Sequence, residues 1–159
     1  MKKGFTLIEI LIYLALVSLI TTIAIASVYP LIDNYYRNQA RLDIEGEVNF
    51  LMRKINWALM GAYLINQPTA GSTSTTLSIN KEGFSQNPIA FDVNNGDFRI
   101  SLAGAGPIVL NNVNVKIEKA EFEHISQSGL PALVGIELSI KHSNSNASTT
   151  IKTKIGLRK

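Results

Sequence analysis

The chain has 159 residues, with 15 Lys and Arg against 12 Asp and Glu, a formal charge of +3 and a pI near 9.2. Cysteine is absent, which excludes disulfides, thiolate metal sites and cysteine nucleophiles. Without Lys2 and Lys3 the balance is 13 basic against 12 acidic, or +1, so the basic pI is weak support for a nucleic-acid partner.

The first element is an apolar helix behind a short basic leader, Met1-Lys2-Lys3-Gly4. From Leu7 to Ile25 the sole charge is Glu9. A helix over that run is about 28 Å long, which with its flanks crosses a hydrocarbon core of about 30 Å. A carboxylate at the centre of a bilayer helix costs roughly 2.5–3.5 kcal/mol, so Glu9 calls for a partner. Its position near a helix N-terminus supplies about 0.3–1 kcal/mol through the macrodipole, too little to offset that cost. Two readings leave Glu9 unexplained. One is a secretory signal peptide cut after Ala26 at Ala24-Ile25-Ala26, which would release a soluble binding domain. The other is a plain anchor with Lys2 and Lys3 held in the cytoplasm.

Beyond Pro30, where a kink or melted turn is expected, the pattern stays helical and becomes amphipathic. Asp33 and Arg37, and Arg41 and Glu45, stand four apart. Ile44, Val48, Leu51, Ile55, Ala58, Ala62 and Ile65 follow at alternating steps of four and three, an apolar stripe with a coiled-coil seam as its alternative use. Gln67-Pro68 ends the element. The period then changes to alternation. Leu77 and Ile79; Ile89, Phe91 and Val93; Phe98, Ile100 and Leu102; and Val113, Val115 and Ile117 each share a face. The opposite parity of Ala120 and Phe122 predicts a bulge near Glu118-Lys119. Val134 to Ile140 and Ile151 to Leu157 form the last pair of strands. The fold class is therefore α+β: a long N-terminal helix packed on an antiparallel sheet with one apolar face.

The run Lys3-Gly4-Phe5-Thr6-Leu7-Ile8-Glu9, followed directly by an apolar helix, resembles the N-terminus of type IV prepilins and type II secretion pseudopilins. That resemblance implies cleavage by a prepilin peptidase after Gly4 and methylation of the new amine on Phe5. It also implies a role for Glu9 in assembly, paired with the terminal amine of a neighbouring subunit. Chemistry agrees, because an amine and a carboxylate brought together in an apolar setting neutralise each other and fix register. From Ile55 onward the pattern is similar to minor pilins and minor pseudopilins. The resemblance implies a leader at 1–4, a transmembrane and filament-core helix at 5–32, an amphipathic continuation at 33–66 and a sheet domain at 67–159. It implies a single-pass protein of the cytoplasmic membrane with its C-terminal domain outside, later joining a surface pilus or periplasmic pseudopilus. The implied partners are other pilin or pseudopilin subunits, the prepilin peptidase, the inner-membrane assembly platform and, before assembly, lipid. Where many pilins carry a kinking proline, this chain has Ala26.

Few other residues invite chemistry, and the reading is of a structural subunit, not an enzyme, with no cofactor and no metal site. Asp92 to Asp97 has its glycine and its twelfth position wrong for an EF-hand loop and reads as a tight turn. His124 and His142 lack a second ligand at metal spacing. Lys141, Lys152, Lys154 and Arg158 line the last strands, a solvated edge first and a DNA-touching strip only second.

Overall fold

A computed structural model describes residues 4–126, 129 and 131–157. The leader residues Lys2 and Lys3 and the expected strip residue Arg158 lie outside the described residues. The chain divides into two compact units, 1–39 and 40–159, and helix α1 (Leu7–Leu59) contributes to both.

In the first unit α1 is apolar from Ile10 to Ile32 and polar beyond, and no described side chain there is buried. Its serine and threonine hydroxyls are satisfied internally. Ser18 Oγ donates to Ala15 O at 2.9 Å, Thr21 Oγ1 to Val17 O at 2.8 Å, Thr22 Oγ1 to Ser18 O at 2.8 Å and Ser27 Oγ to Ile23 O at 2.9 Å. Such back-bonding lets polar residues sit in an apolar medium without orphaned donors. The melted turn expected at Pro30 is absent, because α1 continues through it. Proline removes one ladder bond and need not end a helix whose flanking turns stay bonded. Beyond it, Arg37 Nε reaches Asp33 Oδ2 at 3.0 Å, the exposed four-residue pair the spacing predicts.

In the second unit α1 buries a stripe: Ala40, Ile44, Val48, Leu51, Ile55 and Ala58. The helix ends earlier than expected. Met60 N–H donates to Asn56 O at 2.9 Å, and Gly61 takes a left-handed φ of 80°, the conformation that stops a helix and that glycine adopts without a Cβ penalty. Ala62 and Ile65 therefore join the core from β1 (Ala62–Gln67), not from the helix. Lys81 supplies a cation at the helix end, donating from Nζ to Trp57 O at 2.6 Å while lying 4.3 Å over the Trp57 ring.

The remaining strands are β2 (Thr73–Ser74), β3 (Leu77–Lys81), β4 (Ile89–Asn94), β5 (Asp97–Leu102), β6 (Ile108–Val109), β7 (Val115–Ile125), β8 (Leu133–His142) and β9 (Ser148–Gly156). They form two antiparallel sheets instead of the single meander expected. One has five strands in the order β1-β3-β4-β5-β6 and the other has four in the order β2-β7-β8-β9. Their inward residues and the helical stripe share one core, with Phe91 and Phe98 stacked at 5.8 Å. The bulge expected near Glu118-Lys119 is present as a register shift between Ile117 and Lys119. Val113, expected to share the inward face of Val115, instead lies in the turn before β7 and is 84% exposed.

Two asparagines between β6 and β7 tie the unit together. Buried Asn111 accepts from Phe98 N–H at 2.6 Å and donates to Val115 O at 2.7 Å, linking the two sheets. Asn112 Nδ2 donates to Glu47 Oε2 at 2.7 Å, linking the second sheet's approach to the helix. Glu47 is 9% exposed, and burial pushes its carboxyl above the ordinary carboxylate range, a shift the bonds from Asn112 oppose. Because the raised value belongs to the folded state, the folded chain holds this proton more tightly than the unfolded chain. The stability this contributes is complete below the ordinary carboxylate range and is lost as pH rises through the raised value. Thermal melting of the full chain in detergent should show this loss. Glu47→Gln, which keeps an oxygen for Asn112, should flatten that decline and melt higher near neutral pH. An undiminished slope in the variant contradicts the assignment.

Candidate processing and assembly site

The start of α1 is organised by the side chains around Glu9. Thr6 immediately precedes the helix, and Glu9 is its third residue. Thr6 N–H donates to Glu9 Oε2 at 3.5 Å, and Glu9 N–H donates to Thr6 Oγ1 at 3.4 Å. This reciprocal pair is a capping box: Glu9 takes up the free Thr6 N–H, while the Glu9 N–H is shared between Thr6 Oγ1 and Thr6 O, the latter at 3.1 Å. One turn on, Tyr13 donates its hydroxyl to Glu9 Oε1 at 3.2 Å. The Tyr13 ring also packs edge-on against Phe5, with centroids 6.4 Å apart and planes at 78°. Thr6, Glu9, Tyr13 and Phe5 therefore form one cluster, with Glu9 half-buried and Phe5 72% exposed.

Both Glu9 oxygens are occupied, yet an ionised carboxylate has about four acceptor sites. Room remains for a further donor from outside the chain. Gly4, just before the cluster, is exposed, and a Cβ built there meets nothing within 4 Å. Among the described residues no packing requires glycine at that position. Downstream of the cluster the helix is long and apolar enough to cross a membrane, with a mean hydropathy of 2.4 over its most apolar stretch.

Residues 1–25 match the model of the prokaryotic N-terminal methylation motif. The N-terminus is a type IV prepilin-like signal. With the apolar helix behind it, the signal supports a pilin- or pseudopilin-type precursor and fits a membrane-anchored one. No curated protein and no solved structure matches the chain at a significant level.

The other sequence-predicted candidates are scattered. The Asp92–Asp97 segment is the tight turn expected: Asn95 and Gly96 have φ of 53° and 79° and join β4 to β5 as in a type I′ hairpin. Its acids face cations, Asp92 gripped by the Arg99 guanidinium and Asp97 2.7 Å from Lys116 Nζ. His124 Nδ1 lies 3.0 Å from Pro68 O, and His142 Nε2 lies 3.6 Å from Asp43 Oδ2. Among the described residues no three His, Asp or Glu side chains converge as metal ligands would. Lys141 and Lys152 stand 3.9 Å and 3.1 Å from Glu118 and Glu137. Sequence reasoning missed the roles of Thr6 and Tyr13, although Thr6-x-x-Glu9 ahead of an apolar run is itself the capping signature.

If Thr6 caps the helix, Thr6→Ala loses about 1 kcal/mol of local stability, near fivefold in opening. Amide exchange at Glu9 in detergent micelles should accelerate by about that factor. An unchanged rate means that the cap carries no stability.

Proposed function

We propose that this chain is a structural subunit of a type IV pilus or type II secretion pseudopilus, of the minor kind. It is inserted in the cytoplasmic membrane with Lys2 and Lys3 inside, cut by a prepilin peptidase after Gly4 and assembled through the apolar half of α1. The observation that carries this reading is the methylation motif falling in register with the Glu9 cluster. The unfilled space around Gly4 supports it as well. If glycine is required there although the fold does not need it, the requirement belongs to an enzyme that must approach the backbone closely.

Removal of the leader leaves Phe5 with a cationic amine beside an apolar helix. The amine of one subunit reaches the open acceptor sites of Glu9 on the next, where each charge relieves the other's desolvation. The pair sets the axial step between subunits while apolar contacts supply the attraction. The role is structural, and the partners are other subunits of the same filament, the peptidase and the inner-membrane platform. The minor assignment rests on the likeness of the chain from Ile55 onward to minor pilins and pseudopilins.

Coexpression with a prepilin peptidase should yield a chain that begins at Phe5 and carries a methylated amine, read by mass spectrometry of the N-terminal peptide. Gly4→Val should block that cut and leave the fold unchanged. A mature terminus at Ser27 would instead mean release by signal peptidase. The variant Glu9→Ala should be cut and remain in the membrane, yet fall at least about tenfold in sheared filaments, since stripping one partner from a buried pair costs about 3–5 kcal/mol. Normal incorporation of Glu9→Ala removes the pairing from the account.

A further inference from the structure

The four-stranded sheet ends on β9, and no described strand pairs with its far side. Beyond the two ends of its ladder with β8, Leu157 N–H donates to Ala132 O at 2.9 Å and His142 N–H donates to Ala147 O at 2.9 Å. Those bonds fix which pairs are hydrogen-bonded, and antiparallel alternation settles the rest. Thr149, Ile151, Thr153 and Ile155 turn their backbone groups toward β8. Ser148, Thr150, Lys152, Lys154 and Gly156 turn theirs to the open edge.

This edge is nine residues long, with no proline and no bulge, where proteins commonly keep exposed edges short or distorted. Its inner face is also incompletely covered. Ile151 and Ile155 are half-buried, whereas Val134 and Leu138 across the ladder are at 0% exposure. Beside Ile155 a groove of about 390 Å³ runs between the end of α1 and the edge, lined by Asn56, Met60, Lys154, Ile155 and Gly156. Met60 stands 60% exposed at its rim. One more strand would satisfy the open backbone groups and lay side chains over Ile151, Ile155 and Met60.

We propose that β9 is a docking edge that accepts an extended segment of a partner protein by strand addition, a segment that alternates apolar and acidic residues. Charge selects the acids. On the outer face Lys152 is 70% exposed although Glu137 stands 3.1 Å from its Nζ, Lys154 has no ion pair among the described residues, and residues directly opposite them in an added strand come within pairing distance. The apolar positions between those acids fall on the inner face, over the groove. A second copy's β9 fits poorly, because antiparallel pairing centred on Lys152 sets two ammonium groups opposite each other. Duplex DNA also fits poorly. Glu137 is in register with Lys152, and Glu121 and Glu123 stand across the same sheet, so the basic strip is interrupted by carboxylates. The proposal does not depend on how the stem assembles.

The test uses the full chain in detergent micelles and a labelled peptide of about nine residues that alternates valine and glutamate, matched to the length of β9. A valine–lysine peptide and a short DNA duplex serve as comparisons. The valine–glutamate peptide should bind saturably, and the amides of Thr150, Lys152 and Lys154 should gain exchange protection. Lys152→Pro removes an edge donor but no bond to β8, so it should weaken binding at least about tenfold while melting like the parent. The double variant Lys152→Glu, Lys154→Glu should exchange the preference for the valine–lysine peptide, which keeps the test decisive should the proline variant fail to fold. Absence of saturable binding, equal binding of both peptides, indifference of a folded Lys152→Pro chain, or a clear preference for DNA each overturns the proposal.

Discussion

A carboxylate held in the first turn of an apolar helix is the constraint on which the N-terminal half of this protein depends. Glu9 would be costly in lipid if it faced hydrocarbon alone. The chain lowers that cost with what lies within one turn: the Thr6 amide, the Tyr13 hydroxyl and the positive end of the helix. These donors make Glu9 tolerable without exhausting it. Its remaining acceptor sites are what a second subunit could use, and a cationic amine is the donor that an apolar setting rewards most. On the proposed function, the cluster holds the acid in a membrane and still leaves part of it to a filament.

The same helix serves a second environment further along by changing which groups it leaves to neighbours. Before Pro30 it closes its own polar bonds, down to the hydroxyls of Ser18, Thr21, Thr22 and Ser27. In the second unit it presents an aliphatic stripe to two sheets and places one acid, Glu47, against Asn112. Replacing a water-exposed helix face with a packed one supplies the hydrophobic stabilisation, and the bond from Asn112 to Glu47, with the contacts of Lys81 to Trp57 O and His142 to Asp43, sets where along the sheets the helix sits. Asn111 does the corresponding work between the sheets, since a buried side-chain amide can join two backbones that no ladder connects.

Much of this was legible in the sequence where pattern and chemistry agree. The 4-3 stripe from Ile44 to Ala58, the alternation in the long strands, the bulge near Lys119 and the Asn95-Gly96 turn are all local signals, and each appears where expected. The stripe misled at its end because Ala62 and Ile65 fit both a helical and a strand face, and only the left-handed turn at Gly61 decides between them. Two sheets were invisible because strand order depends on contacts distant in sequence, such as the bonds made by Asn111. Burial of Glu47 is not legible in the sequence, because a charged residue beside an apolar stripe ordinarily faces water and its partner lies 65 residues away. At the N-terminus the motif itself was plain. What it lacked was the reason for Thr6, which the capping bond supplies.

The most direct test is zero-length crosslinking of assembled filaments built from a mixture of isotope-labelled and unlabelled chains, followed by mass spectrometry. The account predicts an amide between the Phe5 amine of one chain and the Glu9 carboxylate of another, seen as mixed-isotope peptides. Crosslinks confined to a single isotope, or a filament whose subunits do not begin at Phe5, would contradict it.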